Sequence, residues 1–337
     1  MSNFKLWRNA FLNIHDIETK EKWNTLDIVS KYLTIIRAPI LLMTASTVIL
    51  GGFLAYKNGA FNVLDFLLCL LGLIFAHACM NLIDEFIDHP QKKDQTRDFR
   101  PQYGMQVLEN GYITLKQWSK YLLFSGLVAL ICISILILRT DIRTLYMALT
   151  AALCILLYTW PLKYIGLGEP IALFVWGPLM VCGSYFACSG GVLPILNSEV
   201  FLIAIIYALG PINVLFSSHI DKIKRDQVKQ AYTLPVLFGE RIARHASIGF
   251  WVAQYVLCFI LFLFGYISWS IVLVLFAIPA FWHAVKVFWH PCQNAETDAH
   301  KAWVPYFSAT AYIYNKTFSG FFILALILDF ILQIVMR

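Results

Sequence analysis

From Val63 to Met80 the chain is almost wholly apolar, and it then breaks into NLIDEFID and a basic stretch reaching Arg100. Counted to residue 84, such a run is long enough to cross the hydrocarbon core of a bilayer as a helix. Eight similar runs occupy approximately 33–55, 118–138, 142–159, 169–189, 198–219, 246–267, 270–288 and 318–336. Backbone polar groups within lipid must find partners inside their own segment, so these runs have to be helical. The expected fold is an all-α polytopic membrane protein of about nine transmembrane helices. Composition agrees: 59% of the 337 residues are hydrophobic and only 14% are charged, which leaves no material for a sizeable water-soluble domain.

The first thirty or so residues mix Lys5, Arg8, Asp16, Glu18, Lys20, Glu21 and Lys22 without the apolar centre of a cleavable signal. Residues 1–32 read as a cytoplasmic lead-in, partly amphipathic, with Trp7, Phe11 and Trp23 suited to the interface. Residues 33–337 read as one membrane domain, with the long loops 89–117 and 220–245 as cytoplasmic caps. Of the 26 Lys and Arg residues, only Lys57, Arg139, Arg143 and Arg337 fall on the other side of this arrangement. Basic residues concentrate on the cytoplasmic side, so the N-terminus is expected inside and the C-terminus outside.

The eight cysteines have neither paired CxxC spacing nor a nearby His cluster, and they read as small packing residues rather than zinc ligands or disulfides. No basic tract interleaved with aromatics suggests a nucleic-acid partner.

The chemistry concentrates where the apolar runs end. Asp84 and Asp88 are four apart with Glu85 beside them, so a continuous helix presents both aspartates on one face. A second acidic stretch, HIDKIKRDQ with Asp221 and Asp226, closes another apolar run. Two such clusters on the cytoplasmic side suit Mg²⁺, which takes one or two protein carboxylates and completes its shell with substrate phosphates. On an unbroken helix Asp221 and Asp226 are about 140° out of line, so both acids converge only if the helix breaks. Lys222 and Asp226 have the spacing of an i, i+4 ion pair.

Between the clusters lies YTWPLKYIGLGEP, Tyr158 to Pro170. Pro161 ends a helix, and Gly166 and Gly168 permit a tight turn. Lys163 is placed to meet a phosphate and Tyr158 to make a polar contact at the mouth of the site.

These stretches, in this order, resemble the UbiA superfamily of intramembrane prenyltransferases. They are an Asn81/Asp motif after the second span, the Tyr-x-x-Pro-Leu-Lys-x-x-Gly-Leu-Gly-Glu loop, and a second Asp motif followed by Thr233-Leu234-Pro235-Val236 and Gly239. Gly177-Pro178 after the loop tilts the likeness towards the 1,4-dihydroxy-2-naphthoate polyprenyltransferases of the menaquinone branch. Departures are visible: Asp84-Glu85-Phe86-Ile87-Asp88 replaces Asn-Asp-x-x-Asp, Lys92 stands where many relatives carry a third acid, and the second motif is one residue longer between its acids.

The resemblance implies a UbiA-like bundle around a central cavity in a bacterial cytoplasmic membrane. It implies Mg²⁺-dependent transfer of a polyprenyl group from its diphosphate to an aromatic acceptor, with the acids as metal ligands (Asp84, Glu85, Asp88, Asp221, Asp226). Lys163 and Arg100 are then cations on the diphosphate, and Asn81, Arg37, Arg97, His219 and Lys222 complete the substrate contacts. The acceptor stays open between a naphthoate and another ring such as 4-hydroxybenzoate. A cation-coupled transporter is the rival class; it calls for acids near the midplane and access from both sides, whereas here the acids lie at one face and Asp329 is the main exception.

Overall fold

The computed structural model describes residues 3–11, 19–88, 107–108, 111–291 and 307–336, and these are helical nearly throughout. Among the described residues eight helices are long and apolar enough to cross a membrane, and Ile142–Tyr158 is a shorter apolar helix. The chain divides into two compact units, residues 1–49 with 62–144, and residues 50–61 with 145–337.

The first unit opens with α1 (Asn3–Phe11) and α2 (Ile28–Ile35), the latter capped by the Asp27 carboxylate, which accepts from the N–H groups of Val29 and Ser30. Trp7 Nε1 donates to the same carboxylate at 3.0 Å, tying the lead-in to α2. The first membrane helix, α3 (Ala38–Lys57), starts later than the apolar run at residue 33 suggests. The reason is local: Arg37 has φ +54, in the left-handed region. A helix cannot continue through that geometry. The helices α4 (Val63–Asp88) and α5 (Leu115–Arg139) pack along each other. Thr114 and Gln117 form a reciprocal capping box that starts α5. Beneath them Trp23, Leu26, Ile35, Leu82, Val107, Leu108 and Trp118 share one apolar core. Near the start of α4, buried Asp65 meets Arg139 from the end of α5.

In the second unit follow α6 (Ile142–Thr159), α7 (Gly168–Cys188) and α8 (Ser198–Asp221). Within α7, Pro178 offers no N–H, and the helix widens to π spacing from Val175 to Cys182. After α8 come two one-turn helices, α9 (Ile223–Val228) and α10 (Leu234–Phe238). The spans α11 (Glu240–Leu263), α12 (Trp269–Trp289) and α13 (Phe307–Val335) complete the unit. The last of these begins well before the apolar run at 318.

The hub of the second unit is α8, of which 78% of the apolar window is buried, against 17% for α5 in the first unit. It packs on α7, α11 and α13. Small residues permit the approach: a Cβ on Gly210 would stand 1.8 Å from Asn315 Oδ1. Polar side chains stitch neighbouring helices, as membrane bundles require when apolar burial gives no preference for protein over lipid. Asn213 Nδ2 donates to the Ser247 carbonyl at 2.9 Å, and Gln254 Nε2 to that of Ile206 at 3.1 Å.

Candidate functional site

In the first unit α4 remains helical to Asp88, so Asp84 and Asp88 do belong to one continuous helix. Asp84 is half-buried. Glu85 is buried and accepts from the Leu108 N–H at 2.7 Å. One turn earlier, Asn81 Nδ2 donates to the Ile36 carbonyl at 2.8 Å and so braces the bend at Arg37. The Arg37 Nε is buried with no hydrogen-bond partner among the described residues. A buried donor without a partner is costly, and an acceptor arriving at this Nε would relieve that cost. His77 Nδ1 lies 2.6 Å from Thr44 Oγ1, linking α4 to α3. The side chain of Asp88, and Arg97 and Arg100 altogether, lie outside the described residues.

In the second unit the expected break exists. Lys222 (φ −112, ψ 9) ends α8 and starts the one-turn α9, so Asp221 and Asp226 sit on different helices. They do not do the same thing. Asp221 accepts from the N–H groups of Phe307 (3.3 Å) and Ser308 (3.2 Å) and from the Ser308 hydroxyl, at the start of α13. Asp226 is buried, and its Oδ2 has no hydrogen-bond partner among the described residues. Burial raises its pKa, while the charges of His219, Lys222, Lys163 and Lys229 pull it back down. A desolvated carboxylate oxygen amid cations is the donor that a hard metal ion seeks.

The Tyr158–Pro170 stretch is bolted to this motif. After α6 a single 3₁₀ turn, Leu162–Ile165, carries Lys163. Gly166 at φ +77 reverses the chain, and a Cβ there would meet Leu237 Cδ1 at 2.6 Å. The Tyr232 N–H reaches the Tyr164 carbonyl at 3.4 Å. Glu169, buried, lies 2.7 Å from His219 Nδ1 and accepts from the Leu234 N–H at 3.2 Å. One carboxylate therefore fixes the loop, the end of α8 and the TLPV segment together. Tyr158 packs beside Ala172, Leu209 and Ile212.

A family model for the UbiA prenyltransferase family matches residues 44–328, most of the chain and both motifs. The chain belongs to the UbiA prenyltransferase family.

Among its relatives in that family, the 1,4-dihydroxy-2-naphthoate octaprenyltransferase of Escherichia coli (strain K12) is 28% identical over 224 residues, 63% of this chain and 70% of the relative. A UbiA prenyltransferase domain-containing protein 1 from Danio rerio is 25% identical over 227 residues, 65% of each chain. The fold is shared with an apo UbiA homolog from Aeropyrum pernix K1 (TM-score 0.60, 15% identity, 86% of this chain and 97% of that one). It is also shared with a UbiA homolog from Archaeoglobus fulgidus bound to GPP and Mg²⁺ (TM-score 0.56, 17% identity, 87% and 98%).

Within this UbiA member, the second unit brings Lys163, His219, Lys222 and Asp226 into one neighbourhood, whereas Asp221 is turned to α13. Glu169 was visible in the sequence only as the acid ending Gly-Leu-Gly-Glu, with no role of its own. Its signal was its place in a loop of otherwise apolar and glycine residues, where an acid needs a buried partner.

Proposed function

We propose that the protein transfers a polyprenyl group from a polyprenyl diphosphate to an aromatic acceptor at the cytoplasmic face of the membrane, in the menaquinone type of quinone synthesis. The observation that carries this reading is the buried, unsatisfied Asp226 Oδ2 within reach of the charges of Lys163, Lys222 and Lys229. A lone buried carboxylate is costly unless a cation completes it, and neighbouring lysines suit an anion that arrives with that cation.

The residues fit Mg²⁺ by donor type: Asp84 and Asp88 on α4 and Asp226 on α9 are hard oxygen ligands, with Asp221 and Glu85 beside them in sequence. Mg²⁺, when bound, neutralises charge on the departing diphosphate. Lys163 and Lys222 donate to phosphate oxygens, and Arg100 and Arg97 add cations from the 89–117 loop. Arg37 and Asn81 hold the substrate end near α4, the arginine by its buried Nε. His219, its Nδ1 held by Glu169, has its ring orientation fixed. The chain's own contribution is thus charge complementarity to the leaving group and alignment of the ring with the allylic carbon. The 28% identity to a naphthoate enzyme supports a naphthoate acceptor over 4-hydroxybenzoate.

The test is direct. Membranes containing the protein, given Mg²⁺, labelled polyprenyl diphosphates and a panel of aromatic acceptors, should yield a prenylated 1,4-dihydroxy-2-naphthoate and release diphosphate, and EDTA should stop both. Preference for 4-hydroxybenzoate would change the acceptor. Full turnover in EDTA would remove the metal reading.

A further inference from the structure

The two acids of the second motif divide by what they touch. We infer that Asp221 is a positioning residue that anchors backbone amides, so that within this motif the metal-diphosphate chemistry falls to Asp226; the inference rests on the function proposed above and assigns roles within it.

Asp221 stands at the end of α8 and faces the start of α13. The first turn of a helix leaves its N–H groups without intrahelical partners and favours negative charge. Asp221 Oδ1 takes the Phe307 N–H, and Oδ2 takes both the N–H and the hydroxyl of Ser308. Both oxygens are engaged in fixing α13 to the end of α8. Asp226 shows the opposite condition, with Oδ2 buried and unsatisfied. Since Mg²⁺ is commonly held by one or two carboxylates plus phosphate oxygens, the second motif needs to offer only one.

Amide isosteres separate anchoring from metal binding. Asparagine caps a helix start as well as aspartate does, but it loses the charge a metal ligand needs. The protein in lipid nanodiscs is measured twice: its thermal midpoint without metal, and its Mn²⁺ affinity by electron paramagnetic resonance with inorganic diphosphate present. Asp221→Ala should lower the midpoint by about 2–4 °C or more, and Asp221→Asn should restore it and bind Mn²⁺ as wild type does. Asp226→Asn should weaken Mn²⁺ by about tenfold or more, given that even outer-shell partners are worth about 10–100-fold. If Asp221→Asn weakens Mn²⁺ as much as Asp226→Asn, or if Asp221→Ala and Asp221→Asn share one midpoint, the assignment fails. Unchanged Mn²⁺ affinity in Asp226→Asn would instead strike the metal-diphosphate reading, and the midpoints would still decide the anchoring role.

Discussion

The two acidic motifs look alike in sequence and are built differently. In the first, Asp84 and Glu85 ride on one helix that continues to Asp88, so the directions of these two follow helical spacing, and Glu85 is buried. In the second, the helix stops at Lys222 and restarts as a single turn, so Asp221 caps a distant helix while Asp226 enters a cationic surround. A regular helix distributes neighbouring acids between core and mouth by angle alone. A broken helix does so by redirecting the chain, which lets two acids five residues apart serve unrelated partners.

The largest effect should separate the acids that face the ligand from those that hold the fold. Asp226→Asn, Asp84→Asn and Asp88→Ala should each lower turnover by about 10³-fold, since a metal-centred interaction supplies several kcal/mol to the transition state. Asp221→Asn should stay near wild type in the same steady-state assay. Equal losses at Asp221 and Asp226 would erase the difference between the two motifs.

A smaller effect sharpens the comparison on the second side. Lys163→Ala should reduce turnover by about tenfold, the worth of one charge-assisted hydrogen bond, because Lys222 and Lys229 remain beside Asp226. Single-turnover and KM measurements locate the loss: it belongs in diphosphate binding and departure. A loss as deep as that of Asp226→Asn would make the loop lysine an equal of the acid.

The smallest catalytic effect is expected at the opposite end of α13. There Asp329 accepts from the Ser268 N–H at 2.7 Å and from Gln333 Nε2 at 2.8 Å, and Lys57 lies 3.2 Å from it and 2.9 Å from Glu199. Every strong group in this cluster has a partner, which marks a clamp rather than a site. Asp329→Asn should cost about 1–3 kcal/mol of stability and leave turnover in the surviving protein near normal. A folded but inactive Asp329→Asn protein would place the chemistry at the other end of the helix.

Much of the fold was legible because its signals are local. Apolar length predicts a span wherever it occurs, and the runs at 63–84, 118–138 and 198–219 coincide with α4, α5 and α8. The boundaries at residues 33 and 318 were missed for opposite reasons. At the first, the left-handed Arg37 interrupts a run whose hydrophobicity does not reveal it. At the second, α13 begins eleven residues early, at Phe307, among polar residues that a hydropathy reading excludes. The pairs Asp65–Arg139 and Asp329–Lys57 were likewise invisible as pairs, since the partners are far apart in the chain.

The sequence by itself determined that this chain is a helical membrane bundle with acids at the ends of two spans, because hydrophobic length and charge placement act over a few turns and are written in consecutive residues. Only the tertiary structure decided which of those acids is committed. Asp221 and Ser308 are 87 positions apart, Glu169 and His219 are 50 apart, and Glu85 and Leu108 are 23 apart. A carboxylate's hydrogen-bond partners are set by which backbone amides the folded chain brings within about 3 Å, and no spacing rule within a single helix carries that information.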